Sequence, residues 1–260
     1  MESLYVIKIG GNIVDNPILL KECLKAFATI QGQAILVHGG GKLATSLATT
    51  MGVEQTMIEG RRITDEATLK IVTMVYAGYI NKNIVAQLQG IGVKAIGLTG
   101  ADGNLIQAHK RVHATIDYGF VGDVDKVNID LIQLLLSSNN RLVIAPITHD
   151  GNGQLLNTNA DTIAQSIATA LASSYNVHLI YGFEKEGVLA DVNNPNSVIA
   201  KIDRPSYAKL KEDKVIFDGM VPKIDNAFLA LDGGVQSVII GKAEKMNELI
   251  NGTAGTTIKN

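Results

Sequence analysis

The sequence predicts an α/β fold, a mainly parallel sheet covered by helices on both faces, and three observations predict it. Short apolar, β-branched runs alternate with segments of helical period along the chain. Strands spaced by helices need crossover connections, which set the strands parallel and put helices on both sides of them. The strand runs are themselves mostly apolar, as buried strands are. The chain has 260 residues, of which 46 % are hydrophobic, enough for a substantial core in one large domain or two modest lobes.

The elements follow in order. Leu4–Ile9 reads as the first strand and Asn16–Ile30 as its helix. Ala34–Val37 is the second strand, followed by the helix Lys42–Met51. Asp65–Gln89 is the longest helical pattern; Thr64 is a natural N-cap for it and Asp65 suits its first turn. Lys94–Leu98 is a strand. Asp102-Gly103 then predicts a hairpin between Gly97–Thr99 and Leu105–Ala108, because Asp-Gly favours tight hairpin turns. Ile129–Ser138 is helical and Arg141–Ile147 extended. Asp150-Gly151 predicts a second hairpin, between Val143–Thr148 and Leu155–Asn157. Helices Ala160–Ala172, Pro222–Leu231 and Ala243–Ile250 and strands Val177–Tyr181 and Val235–Ile240 complete the pattern. There is no low-complexity linker and no short-period repeat. The region from about Asn176 onward reads as a second lobe, which divides the chain into 1–175 and 176–260.

Composition excludes several classes. The formal charge is −2, so no nucleic-acid surface is implied, and an anionic ligand would need local positive charge. The single cysteine, Cys23, rules out an internal disulfide framework and suits a reducing compartment. It sits in the helical pattern L-L-K-E-C-L-K-A-F, where packing is its expected role. No charged segment followed by an apolar one opens the chain as a secretory signal would. No apolar run reaches the ~20 residues of a membrane span. The expected setting is cytoplasmic.

Ligands of open α/β sheets sit beyond the carboxyl ends of the strands, so the residues after each strand carry the functional signal. The first strand ends in Lys8-Ile9-Gly10-Gly11. Lys8 interrupts an apolar run, and its ammonium is either an edge-strand group reaching solvent or a cation aimed at an anion. The second strand ends in V-H-G-G-G-K. This fits neither G-x-x-x-x-G-K-[ST] nor G-x-G-x-x-G. What remains is strand, three glycines, helix: a tight structural turn, or an anion cradle of backbone N–H groups at a helix N-terminus. Arg61-Arg62 precedes the long helix as a solvated pair or as a bidentate carboxylate clamp. L-N-T-N-A-D precedes another helix, where Thr158 or Asn159 could cap and Asp161 could serve only the dipole. D-G-M-V-P-K places Lys223 in the first turn of a helix, a position disfavoured by about 0.3–1 kcal/mol unless an anion binds there. His109 and His113 lie beside a predicted hairpin, so their spacing makes no metal face, and no protein metal site is expected.

The pieces K-I-G-G, V-H-G-G-G-K, G-R-R-I-T, G-F-V-G-D-V, L-N-T-N-A-D and D-G-M-V-P-K occur in this order from Lys8 to about Gly241. Together they resemble the amino acid kinase family, and within it the members that act on N-acetylglutamate. The resemblance implies a three-layer αβα open sandwich. It implies an ATP-dependent phosphotransferase acting on the γ-carboxylate of N-acetyl-L-glutamate, in the second step of arginine biosynthesis, with Mg2+ carried by ATP. The N-terminal lobe would bind acetylglutamate and form a homodimer; the C-terminal lobe would bind ATP. Lys8 and Lys223 match the two lysines that stabilise the transferring phosphoryl group, and Asp161 the aspartate that positions them. Gly40, Gly41 and Gly11 match substrate-side glycines, Arg62 the carboxylate clamp and Asn157 the asparagine that holds the acetylated amino acid. The nucleotide contacts would be Gly10, the segment Glu184, Lys185, Glu186, Gly187, Val188 and Leu189, and the stretch Val215, Ile216 and Phe217. Two departures stand out: Glu184 replaces the aspartate of L-x-D-V-x-G-V-L, and Asp218 replaces the first glycine of G-G-M-x-P-K. Three residues precede the first strand, where arginine-inhibited hexameric relatives carry an extra helix, so strong arginine feedback is not expected. The alternatives are a family member acting on glutamate, an aminoadipate derivative or carbamate, and a non-catalytic nucleotide-binding regulatory module.

Overall fold

The computed structural model describes residues 1–58, 61–191, 193–216 and 220–260. Phe217, Asp218 and Gly219, and Gly60 of G-R-R-I-T, lie outside the described residues. The strands are β1 (Ser3–Ile9), β2 (Gln33–His38), β3 (Met57–Ile58), β4 (Arg61–Arg62), β5 (Ala95–Leu98), β6 (Ile106–Lys110), β7 (Val121–Val127), β8 (Arg141–Ile144), β9 (Ile147–His149), β10 (Leu155–Thr158), β11 (Asn176–Phe183), β12 (Lys201–Ile202), β13 (Ser237–Lys242) and β14 (Thr256–Ile258). The α-helices are α1 (Gly11–Val14), α2 (Pro17–Ala28), α3 (Gly41–Thr50), α4 (Glu66–Thr73), α5 (Asn81–Gly90), α6 (Ile129–Ser137), α7 (Ala160–Leu171), α8 (Arg204–Glu212), α9 (Val221–Asp232) and α10 (Met246–Ile250).

One eight-stranded sheet in the order β12-β14-β13-β11-β1-β2-β8-β5 organises the molecule. The run from β13 to β5 is parallel; β14 pairs antiparallel with β13. Two cores lie on its two faces. Leu4, Val6, Leu179 and Ile144 pack with Ile163 and Ile167 of α7 and Phe228 of α9. Ile7, Ile9, Leu36 and Ile180 pack with Leu24 and Phe27 of α2, Ala44 of α3 and Ile84 of α5. The alternation follows from the two-residue period of a strand. It places Lys8 on the face of Leu4 and Val6, under α7. β1 is central, between β11 and β2, so Lys8 is not an edge-strand lysine. Cys23 is buried in the second core, and burial pushes its thiol up to about 12, as suits a packing role.

A small closed barrel of β10, β7, β6 and β9 adjoins the sheet. It enters where β5 runs on into β6 and β8 into β9. The strand expected over Arg141–Ile147 is broken there, with Ala145 and Pro146 between β8 and β9; proline has no N–H for a ladder. The Asp150-Gly151 hairpin forms, with Leu155 opposite His149. The Asp102-Gly103 hairpin does not. β5 pairs with β8 in the large sheet, while β6 pairs with β7 and β9. Asp102 instead accepts hydrogen bonds from the backbone N–H and hydroxyl of Thr99, at 2.6 and 2.8 Å, in a short 3₁₀ turn that redirects the chain from sheet to barrel. β7 carries three charged residues and reads poorly as a strand; closure of the barrel supplies its partners.

The long helix also differs in detail. Its N-cap is Asp65, whose carboxylate accepts from Thr68 N at 2.7 Å, and not Thr64. Met74–Ile80 is a π-helical segment joining α4 to α5, a form that recurs at functional sites. Among the described residues, no helix is long and apolar enough to cross a membrane.

Candidate active site

Parallel pairing of β1 with β2 sets Ile9 beside His38, so the two glycine segments emerge side by side. Gly39 N donates to Ile9 O at 3.0 Å. A Cβ on Gly39 would lie 3.2 Å from Gly11 N, and one on Gly11 would lie 3.5 Å from Gly41 N and 3.6 Å from Gly40 N. The second turn therefore presents its amide nitrogens to the first. Gly40 has φ +155°, and a Cβ there would come within 2.2 Å of Ile80 Cδ1 and 3.2 Å of Tyr76, both in the π segment. Only glycine fits this position.

Opposite the turns, Asn159 caps α7 by accepting from Asp161 N and Thr162 N, at 2.8 and 3.2 Å, so it is the cap that the sequence left undecided. This orients Asp161 in the first turn. Its Oδ1 lies 2.7 Å from Lys8 Nζ, and Lys223, in the first turn of α9, donates to Oδ2 at 3.0 Å. Burial disfavours the Asp161 carboxylate, but the ammonium groups of Lys8 and Lys223 override this and hold its carboxyl well below the usual carboxylate range. Three residues separated by 62 or more positions thus form one cation–anion–cation cluster at the ends of β1, α7 and α9. Tyr181, paired with Lys8 on β11, donates to the Asp161 carbonyl at 3.5 Å.

Arg62 is buried on β4. Its Nη2 donates to Gly41 O at 2.9 Å and Thr45 Oγ1 at 2.8 Å, and its Nη1 donates to Gln55 Oε1. It therefore holds the first turn of α3 as well as facing the cavity. Asn157 on β10 donates to Thr64 Oγ1 at 3.1 Å, which joins the barrel to the segment before the long helix. A cavity of about 220 Å³ is bounded by Lys8, Gly11, Gly40, Gly41, Arg62, Asn157 and Asp161. Gly39 and Arg61, from motifs already marked, also line it, as do Met57, Tyr76, Val121, Pro146 and Asn159, which motif reading did not mark as contacts. Pairing of β3 with β4 and the π turn bring Met57 and Tyr76 there, and neither leaves a sequence signal. Among the described residues the lining sets three cations, Lys8, Arg61 and Arg62, against one carboxylate, in a chain that is slightly acidic overall. Such a site favours an anionic ligand.

The residues expected to contact nucleotide lie elsewhere. Gly10 caps α1, and a Cβ there would meet open space. Glu184 accepts from Asn12 at 2.6 Å, linking the first glycine turn to the segment after β11. Lys185 is exposed, and Glu186 pairs with Lys245 at 2.9 Å. Gly187 packs against Thr256, whose hydroxyl accepts from Val188 N at 2.8 Å. Val188, Leu189 and Ile216 are buried and Val215 is half-buried. His109 pairs with Asp125 at the surface, and His113 stacks edge-on against Tyr118. Among the described residues no three His, Cys, Asp or Glu side chains cluster as a metal site.

The profile of the amino acid kinase family matches residues 3–242. The chain is 54 % identical over 261 aligned positions to a protein of Cytophaga hutchinsonii named acetylglutamate kinase, covering 99 % of each chain. It is 52 % identical to one of Parabacteroides distasonis with the same name, covering 95 % of this chain and 97 % of the relative. In fold it is similar to N-acetylglutamate synthase from Neisseria gonorrhoeae, with a TM-score of 0.84 at 21 % identity. That match covers 100 % of this chain and 59 % of the larger one.

Proposed function

Since the chain belongs to the amino acid kinase family, we propose that it transfers the γ-phosphoryl group of ATP to the γ-carboxylate of N-acetyl-L-glutamate. The products are N-acetylglutamyl 5-phosphate and ADP, in the second step of arginine biosynthesis. The reading rests on the Lys8–Asp161–Lys223 cluster, of which Lys8 and Asp161 line the glycine-lined cavity and Lys223 is tied to it through Asp161, in a chain so alike the Cytophaga relative.

The chemistry sets a problem of repulsion. The acceptor carboxylate is ionised at neutral pH, so it needs no general base. It must approach an anionic phosphoryl group. A new P–O bond forms to the γ-carboxylate as the bond to the β,γ-bridging oxygen breaks, and ADP takes the electron pair. Catalysis is then positioning and charge neutralisation. Lys8 and Lys223 neutralise the transferring group from two elements. Asp161 holds the two ammonium groups in place and offsets their mutual repulsion. The N–H groups of Gly40 and Gly41 face the same space. Arg62 and Asn157 hold the acceptor. Mg2+ enters with the triphosphate of ATP as part of that substrate. Residues 1–175 form the acetylglutamate lobe and 176–260 the nucleotide lobe, whose Glu184–Leu189 and Val215–Phe217 contact ATP together with Gly10 of the first lobe. The protein works in the cytoplasm as a homodimer. The apolar groove of Met51, Leu69, Ile71 and Met74 supports an association face of this kind, and sedimentation of a monomer would remove that part.

The deciding assay is hydroxamate formation from N-acetyl-L-glutamate, MgATP and hydroxylamine, with glutamate, aminoadipate and carbamate as controls. Absence of hydroxamate from N-acetyl-L-glutamate would sink the assignment. Arg62→Ala is expected to raise KM for N-acetyl-L-glutamate at least about tenfold, since a carboxylate contact is kept from ground to transition state. It lowers kcat by a smaller factor, because Arg62 also holds Gly41 O. An unchanged KM would remove Arg62 from the acceptor site. Gly11→Ala keeps the fold, since its Cβ would meet only ordinary contacts at 3.5 Å and beyond. That methyl stands before the Gly40 and Gly41 nitrogens, and kcat/KM is expected to fall about tenfold or more, up to the ~10²–10³ of a lost transition-state donor. Wild-type kinetics would show that those amides do not meet the reacting group.

A further inference from the structure

His38 ends β2 directly before the glycine triplet, is fully buried, and has no part in the chemistry proposed above. Its Nδ1 lies 2.9 Å from the Gly39 carbonyl oxygen, and its Nε2 lies 3.4 Å from Nδ2 of Asn81, also fully buried, at the start of α5. The far end of this chain dictates its protons. The Lys82 ammonium can only donate, and it donates to Asn81 Oδ1 at 3.1 Å and Gly97 O at 2.9 Å. The Asn81 amide therefore turns its Nδ2 toward His38 and toward Val143 O, which accepts at 3.0 Å. An amide NH₂ only donates, so Nε2 of His38 must accept and carries no proton. The proton of the neutral ring sits on Nδ1 and is donated to Gly39 O. Burial keeps the ring neutral, lowering its pKa to about 4. Gly97 leaves the space for this: a Cβ there would lie 2.0 Å from Asn81 Oδ1.

The Gly39–Gly40 peptide is trans, so the Gly40 N–H points away from the Gly39 carbonyl. A peptide between two glycines has little steric preference of its own and needs an outside restraint. With the carbonyl held against His38, the Gly40 N–H is directed to the opposite side, where Gly40 lines the cavity and faces Gly11. We infer that His38 is a positioning residue for phosphoryl transfer: the chain Lys82–Asn81–His38 clamps the Gly39 carbonyl and so aims the Gly40 N–H at the transferring group. This rests on the acetylglutamate reading for its kinetic test, but the tautomer can be measured without it.

In 15N-edited NMR of the wild-type protein, His38 is expected to show a protonated Nδ1 and a bare Nε2 near neutral pH; the opposite tautomer overturns the proposal. His38→Leu is expected to lower kcat at least tenfold with KM for N-acetyl-L-glutamate within twofold. His38→Asn, whose Nδ2 can stand in place of Nδ1, is expected to recover kcat to within threefold of wild type. A His38→Leu kcat within twofold of wild type, or a His38→Asn enzyme as slow as His38→Leu, overturns the clamp. If His38→Leu does not fold, the tautomer decides alone. Hydroxamate formation by the wild type is the control: its absence defeats the substrate assignment, and the NMR result still judges the clamp.

Discussion

Lys8→Ala and Lys223→Ala are each expected to lower kcat at least ~10²-fold, the scale for removing one strong transition-state donor, while the fold persists. Asp161 retains one cationic partner in either variant, since Lys8 and Lys223 bind different oxygens of its carboxylate. The folded state therefore keeps a paired carboxylate, and the loss falls on the reaction. The KM for N-acetyl-L-glutamate should move little, because charge builds on the phosphoryl oxygens only in the transition state. The double variant should lose less than the product of the two single losses, as both lysines serve one group. Steady-state kinetics beside a thermal melt tests this. A loss of only a few-fold with a normal melt would remove that lysine from the catalytic machinery.

Asp161→Asn acts on stability as well as rate. It leaves two ammonium groups converging where an anion stood, with Lys8 and Asp161 side chains only 13 % exposed. Removing one member of a buried charge cluster costs about 3 kcal/mol at the lower end of the usual range. The lower end applies because Lys223 is 28 % exposed. For a chain of this size that corresponds to roughly 6–12 °C in Tm, together with a kcat loss comparable to that of either lysine. The pH dependence has a definite sign. The folded-state pKa of Asp161 lies below its unfolded value, so its contribution is complete above the unfolded carboxylate range, about pH 4, and is lost as pH falls below it. The Tm gap between wild type and Asp161→Asn should be constant from pH 8 to 5 and shrink at pH 3.5. A gap that widens in acid would contradict the paired-carboxylate description.

Much of the fold was legible because apolar runs and helical periods are local. Lys8 shows how far this reaches. A lone ammonium in an apolar strand was either an edge group reaching solvent or a cation aimed at an anion, and the central place of β1 removed the first reading. The cluster with Asp161 and Lys223 was anticipated through the order of motifs, since no local pattern links residues so far apart. The Asp102-Gly103 turn shows where local reasoning failed. Its signal was right for a turn and wrong for a hairpin, because β8 offered β5 a better-buried partner than β6 did. β7 was missed for the converse reason: its charges hide a strand whose partners, β6 and β10, come from separate segments closing a barrel.

By itself the sequence determined the alternation of strands and helices, the two glycine turns, and the cationic and acidic residues after the strands. These depend on neighbours in the chain. Only the tertiary structure decided that Tyr76 and Ile80 close over Gly40, that Arg62 is committed to Gly41 and Thr45, and that Lys82 and Asn81 set the proton of His38. Each depends on which strands pair and on where a helix widens into a π turn. Those choices are made by burial across the whole sheet, so no short stretch of sequence records them.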